Sequence, residues 1–226
     1  MNIVDFFLDK KGLEIGGPSP LFSMEGSFPI YQLISDLDGC NFSSNTIWQG
    51  IIQEGQNYKY DEGKIGYQYI CDVTDLSSKI IGKKYDFVLS CNSLEHVANP
   101  LKAIEEMLSI LKEKGVLLLV LPKKDGNFDH NRSIVTMDHL LDDYKSGIKE
   151  DDLSHLDEIL KLHDLKLDPP AGNLSQFKAR SLRNYENRAL HHHVFDMKIL
   201  LQIYDFFRLS VYFYKDLGQD FIIIGG

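Results

Sequence analysis

The feature that most constrains the fold of this chain is an ordered series of four short segments. They lie at residues 12–19, 71–76, 85–90 and 115–122. Each has the pattern of a buried strand that ends in small or acidic residues. In an open α/β sheet, the carboxyl ends of such strands line a crevice in which ligands bind. The series therefore predicts an α/β fold with a ligand site at one edge of its sheet.

Length and composition indicate an ordinary globular protein. The 226 residues suffice for one well-packed α/β domain with an insertion. A hydrophobic content of 43% with 25% charged residues argues against wholesale disorder. The formal net charge of −9 disfavours nucleic acid and anionic membrane surfaces as partners.

The sequence also lacks the features of a secreted or membrane-spanning protein. Asp5 and Asp9 stand where a signal peptide needs basic residues and then a long apolar run. No apolar run approaches the roughly 20 residues that span a bilayer. Cys40, Cys71 and Cys91 are too few and too scattered for a disulfide framework or a CxxC metal site. We therefore expect a reduced, cytoplasmic protein.

The hydrophobic pattern predicts a Rossmann-like, doubly wound sheet of seven strands. The last two strands, at residues 209–214 and 220–224, should form an antiparallel hairpin. Before the fifth strand, Asn99 and Pro100 predict the start of a helix that Gly115 would end. The other five strands are predicted at residues 11–15, 30–35, 67–71, 85–90 and 115–121.

A long stretch separates the fifth predicted strand from the helix that returns the chain to the sheet. That returning helix is expected at residues 197–207, with Asp196 as its cap. We expect a single domain over residues 1–226 with a helical insertion at about 125–195. Because the insertion follows a strand that ends at the ligand edge, it would cover the crevice as a lid. Helices within it are predicted at residues 137–145, 152–163 and 174–188.

Several residues at the predicted strand ends suit a nucleotide-like ligand. The turn Glu14-x-Gly16-Gly17 follows the first strand and lets the backbone approach a ligand closely. Asp36 is expected at the end of the second strand, with Asp38 close behind, where a carboxylate can hold both ribose hydroxyls. Asp72 and Val73 follow the third strand, where a carboxylate and an apolar side chain suit an adenine ring.

The segments around these turns resemble a known family. They are Asp72-x-x-Asp75-Leu76, Tyr85-Asp86-x-Val88 and Leu94-Glu95-His96, in that order. This series is similar to class I S-adenosylmethionine-dependent methyltransferases, although the doubled glycine at Gly17 departs from their spaced pattern. The resemblance implies S-adenosylmethionine as the cofactor. It implies cofactor contacts at Glu14, Gly16, Gly17, Asp36, Asp72, Val73 and Ser90.

A wider resemblance covers nearly the whole chain. It rests on residues 128–132, 152–158, 168–172 and 190–196. These segments are similar to a group of bacterial methyltransferases associated with cell-surface polysaccharide synthesis. The resemblance implies a small or glycan-linked acceptor, although composition and spacing alone do not show a sugar.

The acceptor side is expected in the histidine-rich insertion. A hydroxyl acceptor must lose a proton, and a histidine with a pKa near neutrality suits that task. His130 lies in a loop after the fifth strand and is the candidate general base. The alternative is a loop histidine that is hydrogen-bonded to Asp129 or to backbone. The candidate acceptor-binding residues are His96, Arg132, His191, His192 and His193.

Oxygen is the expected methylated atom. Amino methyltransferases have an Asn/Asp-Pro-Pro-aromatic motif directly after the fourth strand, and no such motif follows Ser90. The segment Asp168-Pro169-Pro170-Ala171 lies far downstream and lacks the aromatic residue. It predicts a rigid turn.

The triple histidine raises the question of a metal site. In an extended chain, only His191 and His193 point to the same side. Residues that could complete a ligand set are His155, Asp157, Glu158 and His163. Acceptor binding and packing are the simpler roles for these histidines, so we assign no metal.

Two other functions stay open. Residues 33–40 resemble the Asp-x-Asp-Gly loop of haloacid-dehalogenase-type phosphatases, with Asp36 as nucleophile and Asp38 at the leaving group. Cys40 stands there in place of the usual threonine. A catalytically idle module that binds the cofactor without transferring a methyl group would share the methyltransferase fold.

Overall fold

The computed structural model describes residues 3–226, in which one eight-stranded sheet has helices packed against it. Two further short strands, β3 (Asn45–Thr46) and β4 (Gly50–Ile51), form a separate hairpin. The strands of the large sheet are β1 (Lys11–Ile15), β2 (Asp36–Asn41), β5 (Gly55–Asp61), β6 (Lys64–Ile70), β7 (Tyr85–Cys91), β8 (Leu111–Pro122), β9 (Val211–Asp216) and β10 (Asp220–Gly225).

The chain also has both α-helices and single-turn 3₁₀ helices. No helix within residues 3–226 has the length and apolar character needed to cross a membrane. The α-helices are α1 (Leu76–Lys79), α2 (Pro100–Ser109), α3 (Met137–Ser146), α4 (Leu156–Leu162), α5 (Leu174–Ser181), α6 (Asn184–Asn187) and α7 (Met197–Phe206). The 3₁₀ helices are Ile3–Phe6, Pro20–Phe22, Val73–Asp75, Leu94–His96 and Pro169–Ala171.

The strand order places a crevice at the carboxyl ends of the parallel strands. The order is β5-β6-β2-β1-β7-β8-β10-β9, and β6, β2, β1, β7 and β8 are parallel. Ile15, the last residue of β1, lies opposite Cys40 of β2 and Ser90 of β7. From β1 the chain first adds strands β2 and β6 on one side and later adds β7 and β8 on the other side. The direction in which strands are added therefore reverses at β1. Ligands of open α/β sheets bind at such a switch point.

Helices cover one face of the sheet, and an N-terminal segment of the chain covers the other. One face packs against helices α1, α2 and α7, through residues such as Leu101, Ile104 and Ile203. The other face packs against the chain between residues 3 and 34, with Phe7, Phe22 and Tyr31 in its core. Adjacent strand residues point to opposite faces, so each of the central strands contributes to both layers.

The prediction of the second strand was wrong. Ile30 and Ile34 are buried, which explains the apolar pattern, but they cover one face of the sheet from a loop. The strand itself begins at Asp36. The sheet also has eight strands instead of seven, because β5 pairs antiparallel with β6 as an added edge hairpin. The alternation of tyrosines with charged residues in β5 suits a half-buried strand, with Tyr58 and Tyr60 on the buried side.

The strands at residues 11–15, 85–90 and 115–121 and the terminal hairpin are confirmed in position. Helix α2 starts as predicted, with the Asn99 side chain accepting a hydrogen bond from Lys102 N at 3.1 Å. It ends at Ser109 and not at Gly115, because Leu111 already pairs with Tyr85 as part of β8.

The helices of the insertion agree in part with the sequence. Helix α3 matches its prediction, whereas α4 begins four residues later than expected, at Leu156. The predicted helix at residues 174–188 divides into α5 and α6. A small apolar cluster holds this part together; it contains Leu156, Ile159, Ala171, Phe177 and Leu190.

We predict that the Asn99 cap of α2 contributes more to the free energy of unfolding than an ordinary helix cap does. The Asn99 side chain is buried and also donates to Asp143 O of α3 at 3.2 Å. Asn99→Ala should lower the free energy of unfolding by about 2 kcal/mol, at the upper end for a lost cap. The matched control is Asn173→Ala, which removes the exposed cap of α5. Urea denaturation measures both variants, and equal losses would contradict the tie between α2 and α3.

Candidate functional site

A cavity lies at the carboxyl edge of the sheet, at the switch point of the strand order, and we refer to it as the main cavity. It encloses about 600 Å³ of empty space, part of which is open to solvent. Its wall comes from the ends of β1, β2 and β7 and from the turn after β6. The residues that line it are Ile15, Gly16, Cys40, Asn41, Phe42, Trp48, Cys71, Asp72, Val73, Asn92, Ser93, His96, Val97 and Arg188.

Gly16 brings backbone to the cavity wall. It has a φ of +77°, a conformation that side chains disfavour, and a Cβ atom there would lie 3.2 Å from Ser93 Oγ. The structure therefore places Gly16 where the sequence predicted a close backbone approach to a ligand.

Glu14 does not line the cavity, contrary to its predicted cofactor contact. Its side chain points to the opposite face of the sheet from Leu13 and Ile15, as strand alternation requires. The carboxylate accepts hydrogen bonds from Ser19 N and Oγ and from the hydroxyls of Tyr31 and Tyr58. Burial raises the pKa of Glu14, against the lowering effect of these hydrogen bonds. Glu14 therefore organises the packing beneath the turn.

Gly17 is explained by the same cluster. A Cβ atom at Gly17 would lie 2.1 Å from the Glu14 carboxyl carbon and 2.4 Å from Tyr58 Oη. Gly17 is also outside the cavity wall. The two glycines therefore have different roles. Gly16 forms part of the cavity wall, and Gly17 leaves room for the Glu14 side chain.

Asp36 and Asp38 lie away from the cavity edge, which corrects two predictions. Asp36 is the first residue of β2, opposite Lys11 at the start of β1. Asp38 is buried inside the strand and accepts hydrogen bonds from Tyr67 N at 2.9 Å and Tyr85 Oη at 2.6 Å. Neither carboxylate is at the carboxyl end of the strand, so the ribose role of Asp36 and the phosphatase loop both lose their structural basis.

The residue that does end β2 is Asn41. Its buried carboxamide lines the cavity, donates to Gln49 Oε1 at 3.2 Å and accepts from Trp48 Nε1 at 3.4 Å. Sequence reasoning missed Asn41 because the strand was placed six residues too early. The side chains of Phe42 and Trp48, whose rings lie 5.8 Å apart, continue this wall.

Asp72 and Val73 lie in the cavity wall, as the sequence predicted. Asp72 caps the 3₁₀ helix Val73–Asp75 by accepting from Thr74 N at 2.9 Å. It also pairs with Arg188 at 2.8 Å. Burial raises the pKa of Asp72, but the bond from Thr74 and the charge of Arg188 outweigh it, so the net pKa is lowered.

Arg188 was missed by sequence reasoning because it lies more than a hundred residues from Asp72. It follows α6 with a φ of +52° and also pairs with Glu150 at 3.0 Å. Its guanidinium lies 5.0 Å from the centre of the Phe42 ring. The insertion therefore contributes a cation to the wall of the cavity.

His96 lines the cavity next to a group of buried ionisable side chains. Its Nδ1 lies 3.1 Å from Leu190 O, and its ring packs edge-on against His191 at 4.6 Å. Burial, helped by the charge of His191, lowers the pKa of His96 to about 3. Glu95 beside it is buried, and burial raises its pKa to about 7. The Glu95 Oε2 atom has no hydrogen-bond partner within residues 3–226.

The histidine segment, residues 190–196, is held in place by its backbone. His192 N donates to Glu95 O at 2.8 Å, and Arg132 donates to the carbonyls of His191 and His192 at 2.8 and 2.9 Å. The Arg132 guanidinium also pairs with Asp129 at 3.0 Å and is buried. Arg132 is therefore occupied internally, and an acceptor would have to compete with these contacts.

All three histidines of the segment are buried. His191 Nδ1 lies 2.6 Å from Asp129 Oδ2, and His192 Nε2 accepts from Asn184 Nδ2 at 2.9 Å. His193 Nε2 lies 3.2 Å from Ala98 O. None of them lines the main cavity, although His191 contacts it through His96.

Two further predicted site residues do not reach the cavity wall. His130 is exposed in its loop, and its Nε2 lies 3.1 Å from Asp164 Oδ2 on the protein surface. Ser90 is the second-last residue of β7, at the edge where the cavity lies, but it is buried, and its Oγ has no hydrogen-bond partner in the described part of the chain. His130 thus has no structural support as the general base.

Comparison with known families shows which family this chain belongs to. A family model described as a methyltransferase domain matches residues 34–185, which is more than half of the chain. The chain belongs to this methyltransferase family. S-adenosylmethionine is accordingly its cofactor. The main cavity lies at the switch point of the sheet, which is where ligands of open α/β folds bind.

Solved structures of methyltransferases are similar over nearly the whole chain, at low identity. An O-methyltransferase family protein from Burkholderia thailandensis is 10% identical, with 96% of this chain and 50% of that chain covered and a TM-score of 0.49. A complex between the Trm112 methyltransferase activator and a putative methyltransferase, from Haloferax volcanii, is 12% identical; 97% of this chain and 83% of that chain are covered, with a TM-score of 0.49. The N-methyltransferase NodS from Bradyrhizobium japonicum is 10% identical; 98% of this chain and 88% of that chain are covered, with a TM-score of 0.47.

This methyltransferase spans about half the length of several solved structures that it matches; 48% and 50% of two such chains are covered. No curated protein matches the sequence.

We predict that Asp129 stabilises this methyltransferase at neutral pH. Burial raises the pKa of Asp129, but the bond to His191 and the charges of His191 and Arg132 outweigh it and lower the net pKa. Asp129→Asn should cost about 3 kcal/mol, because it leaves the buried Arg132 without this carboxylate. Since the folded pKa is lowered, the advantage of wild type is full above the unfolded pKa and disappears as pH falls through the folded pKa.

Urea denaturation of wild type and Asp129→Asn over a series of pH values measures this effect. The matched control is Asp125→Asn, an exposed aspartate of the same loop, which should change stability by less than about 0.5 kcal/mol. A pH-independent difference for Asp129→Asn would contradict the assignment.

Proposed function

We propose that the main cavity binds S-adenosylmethionine and that the protein transfers its methyl group to a hydroxyl oxygen of a small or glycan-linked acceptor. The observation that supports the donor site most is the meeting of Gly16, Asp72 and two aromatic rings at the switch point of the sheet. The acceptor part of the proposal rests on His96, which lines the same cavity.

The cavity wall suits each part of this cofactor. Gly16 allows close approach of backbone. The amide nitrogen of Asn41 is occupied by Gln49, but its oxygen, which accepts from Trp48, keeps a second lone pair for a ribose hydroxyl. Asp72 keeps capacity for a further hydrogen bond beside Thr74 and Arg188, because a carboxylate has about four acceptor sites. Phe42 and Trp48 provide aromatic surface. When bound, the cofactor supplies an electrophilic methyl group on a sulfonium.

His96 is proposed to accept the proton of the acceptor hydroxyl. The Leu190 carbonyl at 3.1 Å makes Nδ1 the protonated nitrogen, which leaves Nε2 free to accept. Its pKa of about 3 keeps the ring neutral at physiological pH, and it also makes His96 a weak base on its own. Glu95, with a pKa of about 7, has its carboxyl within 4.8 Å and would stabilise the imidazolium as it forms.

We predict that Asp72→Asn weakens binding of S-adenosylhomocysteine at least about tenfold, the equivalent of ~1.4 kcal/mol. The change removes a charged acceptor from the cavity and frees Arg188 from its partner. Asp75→Asn is the matched control, because Asp75 is exposed and makes no side-chain cap. The single tryptophan, Trp48, lines the cavity, so its fluorescence reports binding alongside calorimetry.

Failure of wild type to bind S-adenosylhomocysteine, with the fold intact by circular dichroism, would overturn the donor site. Equal losses for Asp72→Asn and Asp75→Asn would remove Asp72 from it.

We predict that His96→Gln lowers turnover roughly 100-fold, the usual effect of losing a general base. Transfer of labelled methyl from S-adenosylmethionine to a panel of nucleotide sugars and polysaccharide fragments measures turnover. His130→Gln is the matched control and should stay close to wild type, because His130 lies on the surface. If His130→Gln loses turnover and His96→Gln retains it, the base is His130 and this assignment is wrong.

The class of the acceptor is proposed from the sequence resemblance. Residues 128–132, 152–158, 168–172 and 190–196 support a glycan-linked acceptor. Nuclear magnetic resonance of the methylated product distinguishes an O-methyl from an N-methyl group. A protein that binds S-adenosylhomocysteine but methylates nothing in the panel would favour the idle binding module.

We also propose that the protein works in the cytoplasm. Cys40, Cys71 and Cys91 are free thiols, and the Sγ atoms of Cys40 and Cys71 lie 3.4 Å apart in the cavity wall. A reducing compartment keeps such neighbouring thiols from oxidising to a disulfide. Fractionation of cells that express the protein would test this location.

A further inference from the structure

Three histidines and an aspartate converge at a second place, outside the wall of the main cavity. Their ligating atoms all lie within 4.8 Å of one another. His139 Nε2 is 3.1 Å from His155 Nε2, and Asp143 Oδ2 is 3.4 Å from the Nε2 atoms of both His139 and His193. We refer to His139, Asp143, His155 and His193 as the histidine cluster.

Helix α3 presents two of these side chains on one face. His139 and Asp143 are four residues apart, which places them one above the other on a helix. The helix is well defined, because Thr136 caps its start and Gly147 its end, and Leu140 is buried in the core. Asn99 holds the Asp143 carbonyl at 3.2 Å. The spacing of this pair is therefore set by packed structure.

The other two side chains reach the cluster from separate segments. His193 belongs to the histidine segment, which is fixed beside α3 by the bond from Val135 N to Val194 O at 2.9 Å. His155 directly precedes α4, and its carbonyl accepts from Ile159 N at 2.9 Å. Three parts of the insertion that are distant in sequence thus meet at one point.

We propose that the histidine cluster binds one divalent transition-metal cation, with Zn²⁺ as the best match. Three imidazoles and one carboxylate are a ligand set of Zn²⁺ sites, and neutral imidazole favours the same borderline metals. In a tetrahedron with metal-to-ligand distances of about 2.0 Å, neighbouring ligand atoms lie about 3.3 Å apart. The three distances given above, 3.1, 3.4 and 3.4 Å, agree with this spacing.

A buried atom without a hydrogen bond supports this assignment. Asp143 Oδ2 is shielded from solvent and has no hydrogen-bond partner within residues 3–226. A carboxylate oxygen without a hydrogen bond is costly in a protein interior, and a coordinated cation would satisfy it. The competing contact is that of His193 Nε2 with Ala98 O at 3.2 Å. His193 would give up this bond on binding the metal, with its proton at Nδ1.

The position of the site indicates a structural brace. All four ligands come from the protein, which is the pattern of structural zinc sites, whereas catalytic zinc keeps a position for water. The cation would tie α3, the start of α4 and the histidine segment to one another. A brace of this kind needs no methyl transfer, so its test is independent of the proposed function.

Metal binding is tested on the full chain carrying an affinity tag without histidine. After treatment with a chelator and dialysis, Zn²⁺ alone is titrated by calorimetry, and Co²⁺ alone is followed by visible absorption. We expect one equivalent per chain, the intense absorption of tetrahedral Co²⁺, and a higher melting temperature with Zn²⁺. His139→Ala and Asp143→Asn should each weaken Zn²⁺ binding at least about tenfold.

The matched control is His130→Ala, a histidine of the same insertion that lies outside the cluster and should bind Zn²⁺ as wild type does. Circular dichroism and the melting temperature without metal check that each variant folds. The proposal is overturned if wild type binds no Zn²⁺ at micromolar concentration. It is also overturned if folded His139→Ala and Asp143→Asn retain wild-type affinity, which would place the metal elsewhere.

Discussion

Both the main cavity and the histidine cluster depend on the contacts of the buried Arg132 guanidinium. It holds the carbonyls of His191 and His192 and at the same time pairs with Asp129, which in turn holds the His191 ring. A buried charge is tolerated only when it is paired and hydrogen-bonded. These contacts fix the path of the histidine segment. That path places His191 against His96 on one side and His193 against α3 on the other.

The sheet edge sets the other constraint. Parallel strands in register bring the ends of β1, β2 and β7 together, so residues that are far apart in sequence line one cavity. Strand alternation then decides which side chains face it. The Glu14 side chain lies on the face of the sheet away from the cavity, where it contributes to packing. The backbone of Gly16, two residues later, lies in the cavity wall. The insertion completes the wall through Arg188, which couples its folding to the shape of the methyltransferase site.

Much of this arrangement follows from local patterns in the sequence. The apolar runs of β1, β7 and β8 and the caps Asn99 and Asp196 have short-range causes, and the structure has them where the patterns predict. The order of the strand ends was enough to indicate the methyltransferase fold. Asp72 and Val73 were also found this way, because they directly follow a strand whose end was correctly placed.

What the sequence alone determined is the α/β sheet and the edge at which the candidate site lies, because strand and cap signals depend on neighbouring residues. Tertiary structure decided which side chains form the site. Ile30 and Ile34 have the pattern of a strand but cover the sheet from a loop, so Asp36 was placed at the wrong end and Asn41 was missed. The contacts of Arg188 with Asp72 and of His139 with His193 join distant segments, and no local pattern encodes such pairs.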